Sequence, residues 1–318
     1  MRHLLVPAAL VVASLSLPTA GPAYAATATC HGLPATIEGS TGNLTGTSGN
    51  DVIVVTGTLA GSVTRVDAGA GDDLICVVGI TGQLSLHSGT GNDTIDASSA
   101  GSLIFGFLGP GLDTYVGGPQ IDQIDASGDP DQVVISTAGG DDYVAATGGS
   151  ATVDTGPGDD TVSYAVLAGR RPSALELGAG DDWVSVEDPV DVRVDLRRHT
   201  IHQNGVTTAL RHTENVQAVA RHLTLTGDSK DNTFVVVGCR MDLFGAGGDD
   251  RLVEMADIEA TVSPCRGQSA HLYGGTGADS LRGFTGDDIL VGGPGRDVAA
   301  GAGGWDRCVA EKRLRCER

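Results

Sequence analysis

Residues 274–308 read GGTGADSLRGFTGDDILVGGPGRDVAAGAGGWDRC, and a nine-residue unit recurs through this stretch. Each unit has a glycine-rich turn, an aspartate at its sixth position and an apolar residue two places later. The sixth-position residues follow a strict period of nine: Asp279, Asp288, Asp297 and Asp306. A fixed period indicates a repeat architecture, in which one unit cannot bury its apolar face alone and stacks on its neighbours.

Looser copies of the unit extend upstream, typically at intervals of 9, 18, 20 or 22 residues, again with an apolar or aromatic residue two places on. Their sixth positions are Asp51, Asp73, Asp93, Asp113, Asp122, Asp131, Asp142, Asp160, Asp182, Asn232 and Asp250. If two units form one coil, Asp279 stacks on Asp297 and Asp288 on Asp306. The upstream intervals predict one acidic turn per coil. One acidic row would contain Asp51, Asp73, Asp93 and Asp113, and a second Asp142, Asp160 and Asp182.

Residues 274–306 resemble the hemolysin-type calcium-binding (RTX) nonapeptide, GGxGxDxUx with U apolar. The resemblance implies an all-β parallel β-roll or β-solenoid built from glycine- and aspartate-rich repeats, with several Ca²⁺ ions as cofactors. Many upstream turns depart from it by lacking the first glycine, for example at Thr155 and Leu177. The metal-ligating positions carried over are Gly274, Thr276, Asp279, Gly283, Thr285, Asp288, Gly292, Pro294, Asp297, Gly301 and Asp306, and upstream Asp51, Asp73, Asp93, Asp142, Asp160, Asp182 and Asp250.

The chemistry of the turn supports the same ligand. Glycine permits φ > 0 and a close backbone approach, so that several carbonyls can point at one spot, and the aspartate adds an anionic oxygen. Ligation by oxygen alone suits Ca²⁺. Doublets such as Asp159-Asp160 would set like charges against each other in stacked turns, so we expect a calcium-free chain to be expanded and partly unfolded. The competing explanation is that the doublets only solubilise a solenoid held by its core and disulfides.

Composition limits the class of protein. The 318 residues have a formal net charge of −20, with 48 Gly and, among 40 acidic residues, 32 Asp against 8 Glu. Asp and Gly favour turns whereas Glu favours helices, so a mainly helical fold is disfavoured. The negative charge also argues against nucleic acid or an anionic membrane as partners.

The N-terminus predicts export. A basic start, an apolar run from Leu4 to Leu17 and a small-residue site at residues 23–25 are typical of a secretory signal peptide. The run is too short for a membrane span. Six cysteines in an oxidising compartment predict disulfides in one of fifteen pairings. Sequence proximity favours Cys30–Cys76, Cys239–Cys265 and Cys308–Cys316.

These signals divide the chain into six parts: a signal peptide 1–25, an N-terminal cap 26–45, degenerate repeats 46–186, non-repeat solenoid coils 187–226, a calcium-binding β-roll 227–306 and a disulfide-tied C-terminal cap 307–318. A second gap, 253–273, is expected to loop out under Cys239–Cys265. The histidines His199, His202, His212 and His222 lie in the non-repeat coils and are expected to be exposed polar residues, with a metal or catalytic cluster as the alternative.

No HExxH, GxSxG or phosphate-binding loop with Lys followed by Ser or Thr occurs in the chain. We therefore expect a secreted, monomeric calcium-binding protein without catalysis of its own, in a structural or adhesive role that could involve extracellular polysaccharide or a surface protein. One alternative is a β-helix enzyme acting on extracellular polysaccharide, with catalytic acids within residues 187–273. The other is a calcium-independent solenoid surface protein.

Overall fold

The computed structural model describes residues 28–40, 42–57, 64–127, 129–255, 265 and 267–317. The predicted signal peptide and residues 26 and 27 of the predicted cap lie outside them. Within the described residues all regular elements are β-strands, and no helix is long and apolar enough to cross a membrane. Strands of successive coils pair in parallel in a sheet of 27 strands. The predicted all-β parallel solenoid is therefore confirmed.

The strands are short because each spans one side of a coil. The first fifteen are β1 (Thr29–Cys30), β2 (Leu33–Pro34), β3 (Ile37–Gly39), β4 (Asn43–Thr45), β5 (Val52–Thr56), β6 (Thr64–Asp67), β7 (Leu74–Val78), β8 (Gln83–His87), β9 (Thr94–Ser99), β10 (Leu103–Phe107), β11 (Thr114–Val116), β12 (Asp122–Asp125), β13 (Asp129–Ser136), β14 (Tyr143–Asp154) and β15 (Thr161–Val166). The others are β16 (Ala174–Glu176), β17 (Trp183–Glu187), β18 (Asp191–Asp195), β19 (Thr200–Gln203), β20 (Val206–Arg211), β21 (Asn215–Thr226), β22 (Thr233–Gly247), β23 (Arg251–Glu254), β24 (Ser269–Thr276), β25 (Ser280–Arg282), β26 (Ile289–Val291), β27 (Val298–Ala300), β28 (Arg307–Val309) and β29 (Lys312–Leu314).

Apart from the three consecutive face-one strands β18–β20, each coil contributes one strand to each of two faces. Face one runs β3, β5, β7, β9, β11, β13, the end of β14, β16, β20, β19, β18, the ends of β21 and β22, β24, β26 and β28. Face two runs β4, β6, β8, β10, β12, the start of β14, β15, β17, the starts of β21 and β22, β23, β25, β27 and β29. The long strands β14, β21 and β22 bend from face two into face one and connect the faces.

The core is a continuous stack of apolar side chains between the two faces. On face one Ile53, Ile75, Ile95 and Tyr115 stand in register in successive coils, each fully buried. On face two the apolar stack contains Val144, Val162, Val184, Val216, Phe234, Leu252 and Leu281. These are the residues two places after the sixth positions. Stacking therefore buries the inward side of every strand.

One predicted repeat is wrong. Ile135 pairs with Tyr115, so the position equivalent to Asp113 is Val133, and Asp131 is exposed outside the series. The coil from Asp113 to Val133 spans 20 residues, as do the coils from Asp73 to Asp93 and from Asp93 to Asp113. Asp131 lies two residues before the equivalent position, so both registers have the same alternation of apolar side chains and the pattern does not distinguish them.

The predicted non-repeat coils contain a reversal of chain direction. Strand β19 is antiparallel to both β18 and β20. The chain turns between β19 and β20 at Asn204 and Gly205, which have φ values of 52° and 75°. Since β20 pairs in parallel with β16, and β18 with β21, β19 fills the space between two series of parallel strands. Face one thus stays hydrogen-bonded across the lapse in the repeat.

Three disulfides tie the ends and the second gap to the solenoid. They join Cys30–Cys76, Cys239–Cys265 and Cys308–Cys316, the pairs that sequence proximity favours. At the N-terminus the antiparallel pair β1–β2 is anchored by Cys30, while β3 and β4 already form a coil. At the C-terminus β29 pairs in parallel with β27 and adds a further coil. Of the gap at 253–273, residues 256–264 and 266 lie outside the described part of the chain.

Candidate metal centre

The sixth-position residues form three hydrogen-bonded ladders along the edges of the solenoid. Ladder one lies before the strands of face one and contains Asp51, Asp73, Asp93 and Asp113. The amide of each residue donates to Oδ1 of the aspartate in the next coil, over 2.8, 2.9 and 2.9 Å. This is the first acidic row predicted from the sequence.

Ladder two lies on the opposite edge, before the strands of face two. Its sixth positions are Asp122, Asp142, Asp160, Asp182, Glu214, Asn232, Asp250, Asp279, Asp297 and Glu311. The amide of Asp142 donates to Asp160 Oδ1 over 2.8 Å, and that of Asp279 to Asp297 Oδ1 over 3.0 Å. The second predicted row is therefore part of a longer series that begins at Asp122.

Ladder three repeats the arrangement on the face-one edge in the C-terminal block. The amide of Asp288 donates to Asp306 Oδ1 over 3.1 Å, and that of Asp306 donates to Glu317 Oε2. Both edges therefore carry acidic turns only where the period is strictly nine. In the upstream coils the acidic turn lies on one edge at a time, as the longer intervals predict.

Glutamates that the aspartate motif does not predict also belong to the ladders. Glu214 and Glu311 stand at sixth positions and accept the amides of Asp182 and Asp297 through Oε2, over 3.3 and 2.8 Å. The spacing of the repeat indicates Glu214, because Val216 follows it by two places as an apolar residue follows each aspartate. The motif itself does not indicate it, because the motif specifies Asp at this position.

The second oxygen of many ladder carboxylates has no hydrogen-bond partner. Asp279 is 1% exposed, and its Oδ2 is buried without a donor in the described residues, although Oδ1 accepts the amide of Asp250 over 2.9 Å. The same holds for Oδ2 of Asp73, Asp182, Asp250, Asp297 and Asp306. Burying an ionised group without a partner is costly, so the surroundings of these atoms suit a cation or a bound proton.

The first glycine of the unit leaves room for this oxygen. A Cβ atom at Gly274 would lie 2.1 Å from Asp279 Oδ2, and one at Gly292 would lie 2.2 Å from Asp297 Oδ2. Gly283 and Gly301 stand in the same relation to Asp288 and Asp306. A side chain at any of these positions would occupy the space that the carboxylate oxygen faces.

In some upstream turns a hydroxyl residue takes the place of the first glycine. Burial raises the pKa of Asp160, and the nearby Thr155 hydroxyl partly opposes this. Ser88 acts in the same way on Asp93. Asp51 is different again, because its Oδ2 accepts hydrogen bonds from the amide and hydroxyl of Thr47 at 2.7 and 2.9 Å. Protein donors thus satisfy Asp51 by themselves.

Burial raises the pKa of most ladder carboxyls above the ordinary 3.8. The pKa of Asp182 and of Asp250 rises to about 7 because of burial, to which the neighbouring carboxylates add. The same causes raise the pKa of Asp122 to about 8 and that of Asp288 to about 6. These four carboxyls therefore resist ionisation unless a positive charge compensates them.

The predicted ligands at the first and third positions of the unit are backbone carbonyls. Those of Thr276, Gly292 and Pro294 accept amides of neighbouring turns over 3.0, 2.8 and 3.1 Å. A carbonyl oxygen has a second lone pair, so these atoms can also ligate a cation. At Gly277, with φ of 137°, a Cβ atom would lie 1.9 Å from the carbonyl oxygen of Gly248, so only glycine allows this stacking. Thr285 differs because its hydroxyl donates to Gln268 Oε1 over 2.6 Å.

The first, exposed aspartate of most acidic doublets accepts a backbone amide from the following coil, whereas the ladder aspartate accepts one from the preceding coil. Asp159 Oδ1 accepts the amide of Asp181 from the following coil over 2.9 Å, whereas Asp160 Oδ1 accepts the amide of Asp142 from the preceding coil. Asp249 behaves like Asp159 and accepts the amide of Ala278. The two charges of a doublet are thereby directed to different coils.

Ladder two is interrupted by a lysine. Lys230 Nζ pairs with Glu214 Oε1, and Asn232 stands where the next aspartate would be. The amide oxygen of Asn232 accepts the amide of Asp228 over 2.9 Å, and its Nδ2 donates to the Glu214 carbonyl over 3.0 Å. This coil is satisfied by a side-chain cation and a neutral amide, and it divides ladder two into two acidic stretches.

The histidines of the non-repeat coils form no metal-binding group within the described residues. His212 pairs with Glu176, and His202 Nδ1 lies 3.1 Å from the Thr207 hydroxyl. Elsewhere His31 and Asp96 approach Cys76, but the sulfur of Cys76 is held in a disulfide. The ladder carboxylates do not form such a group of three in the described residues either, so a cation bound there would also need carbonyl oxygens of the turns.

Comparison with known proteins agrees with this geometry. Residues 85–106, 136–165 and 269–310 match the family model of the RTX calcium-binding nonapeptide repeat (4 copies). The matched segments contain aspartates from all three ladders. A search of curated proteins found no match to the chain.

Proposed function

Because the chain carries RTX calcium-binding nonapeptide repeats, we propose that it is a secreted repeat protein whose fold is stabilised by Ca²⁺ ions bound between stacked turns. The observation that carries the proposal is the row of buried aspartate Oδ2 atoms that have no hydrogen-bond partner within the described part of the chain. The potential metal ligands around these atoms are carboxylate and carbonyl oxygens, the ligand set that Ca²⁺ prefers. Calcium would supply the charge that the ladders lack.

Calcium binding in such a site is coupled to folding. The ladder aspartates converge only when coils are stacked, so the unfolded chain offers no comparable site. A ligand that binds the folded state alone stabilises it by mass action. The net charge of −20 adds repulsion, which bound cations would reduce.

Counting bound ions tests the proposal. The purified, disulfide-intact protein is stripped with EGTA and titrated with CaCl₂ and, separately, MgCl₂ in an isothermal titration calorimeter. We expect several equivalents of calcium and weaker binding of magnesium, because Mg²⁺ demands near-ideal octahedral geometry and dehydrates reluctantly. Failure to bind calcium would contradict the proposal.

The proposed location is extracellular. Its supports are the signal-peptide pattern of residues 1–25, the disulfides and the millimolar calcium that extracellular modules use. We expect the protein to be recovered from the medium of an expressing culture with Ala26 as its first residue. Mass spectrometry would contradict this by finding an uncleaved chain retained in the cells.

The proposed role is structural or adhesive and not catalytic. The alternative polysaccharide enzyme requires reachable acids within residues 187–273. Asp250 and Glu254, whose pKa values are raised by burial to about 7 and about 8, are each only 1% exposed. Since a glycosidase acid must contact its substrate, these two carboxyls give that alternative no support. Calcium-dependent retention of the labelled protein on extracellular polysaccharide, with no release of sugar, is the result expected of an adhesive protein.

A further inference from the structure

Ladder three has no aspartate in the coil that precedes Asp288. The position before Asp288 is occupied by Ala270, whose amide donates to Asp288 Oδ1 over 2.8 Å. The glycine-rich turn is also missing there, because the five residues before Ala270 read CRGQS. The repeat by itself therefore provides Asp288 with no carboxylate from the preceding coil.

Glu254, the last residue of β23, fills this place from outside the motif. Val253 pairs with Arg282, so Glu254 stands one coil before Gly283, the first glycine of the Asp288 turn. Its Oε2 accepts the amide of Phe284 over 3.2 Å. A Cβ atom at Gly283 would lie 2.3 Å from Asp288 Oδ2, so both carboxyls are directed into this turn.

The side chain of Glu254 is buried with one oxygen unused. Glu254 is 1% exposed, and its Oε1 has no hydrogen-bond partner among the described residues. None of the ion pairs in the described part of the chain includes it. A glutamate buried beside an aspartate costs free energy unless a cation lies between them. The neighbouring Asp288 adds to the effect of burial in raising the pKa of Glu254.

We propose that Glu254 and Asp288 together bind one calcium ion at the start of ladder three, with Glu254 replacing the aspartate that the repeat lacks. This proposal rests on the calcium-binding function proposed above. The ion would hold the end of β23, which lies within the segment that Cys239–Cys265 closes. A residue that no nonapeptide contains would thus extend the calcium sites beyond the motif.

The test compares the wild-type protein with Glu254→Gln in the calcium titration. The glutamine side chain keeps an oxygen for the Phe284 amide and removes the charge. We expect one calcium equivalent fewer, with no loss of melting temperature in EGTA, because a buried carboxylate has been removed. Glu187→Gln, at an exposed residue, is the matched control and should bind as many ions as the wild type.

A double variant separates a shared ion from two independent effects. Asp288→Asn also removes this site, so adding Glu254→Gln to it should cost no further equivalent. The proposal is overturned if Glu254→Gln binds as many ions as the wild type, or if the losses in the double variant add. A variant that melts lower in EGTA with an unchanged ion count would show a purely structural role. If the wild type itself binds no calcium, the function proposed above fails as well.

Discussion

Each ladder aspartate uses its two oxygens differently. In Asp297, Oδ1 accepts the amide of Asp279, whereas Oδ2 is buried and has no hydrogen-bond partner among the described residues. The first contact needs only an acceptor, whereas compensation of the buried charge needs a cation. Conservative substitutions can therefore separate the structural role of the residue from its proposed ligand role.

Asp297→Asn should retain the ladder hydrogen bond and lose the calcium ligand. We expect a melting temperature in EGTA close to or above that of the wild type and a smaller rise on adding calcium. Differential scanning calorimetry measures both quantities. Asp154→Asn, at an exposed position outside the ladders, is the control and should respond to calcium as the wild type does. An unchanged calcium response in Asp297→Asn would show that this carboxylate holds no ion.

Gly274→Ala should destabilise the fold, because the new Cβ would lie 2.1 Å from Asp279 Oδ2. Overpacking of this kind costs about 1–3 kcal/mol. We expect a lower free energy of unfolding in urea and weaker calcium binding. At Gly49 a Cβ atom would have its nearest neighbour at 3.9 Å, so Gly49→Ala is the matched control. Equal stability of the two variants would argue against a confined carboxylate.

At the scale of strands and turns, the strict period predicts most of what the structure contains. Parallel coils, inward apolar residues and the stacking of Asp279 on Asp297 follow from the spacing alone. The position of Asp131 does not, because a register two residues away gives the same alternation of apolar side chains. Glu254 was not predictable either, since it reaches the Asp288 turn across coils and belongs to no repeat. The reversal at β19 needs knowledge of which strands flank it.

The break in ladder two gives a test at this scale. Asn232→Asp would place a carboxylate between Glu214 and Asp250 and remove the bond from Nδ2 to the Glu214 carbonyl. An unsatisfied buried group costs about 1–3 kcal/mol, so the variant should melt lower in EGTA. Added calcium should reverse the loss by binding at the new site, and the titration should show one extra equivalent. Asn43→Asp, at an exposed position of β4, serves as the control. If calcium does not restore the melting temperature of Asn232→Asp, this turn cannot bind an ion.

At the scale of the whole molecule, the ladders make calcium-free stability depend on pH. Burial and the neighbouring carboxylates raise the pKa of Asp182 and Asp250 to about 7, above the 3.8 of an unfolded aspartate. Between these values the folded chain binds more protons than the unfolded chain, so stability is present at low pH and is lost as pH rises.

The melting temperature in EGTA should therefore rise as the pH is lowered from 8 to 5.5. With saturating calcium the dependence should flatten or reverse, because the ions compete with protons for the carboxylates. Melting curves at constant ionic strength in both conditions measure this. A calcium-free protein that melts lower at pH 5.5 than at pH 8 would show that the ladder carboxyls do not control stability.

The central claim is that calcium completes the folded solenoid. It is tested most directly by circular dichroism of the purified protein at pH 7.5 during EGTA removal and calcium readdition. The account predicts that β content and melting temperature fall in EGTA and return with calcium, whereas magnesium restores less. Unchanged β content and melting temperature without calcium would contradict it and would leave a solenoid held by its core and its three disulfides.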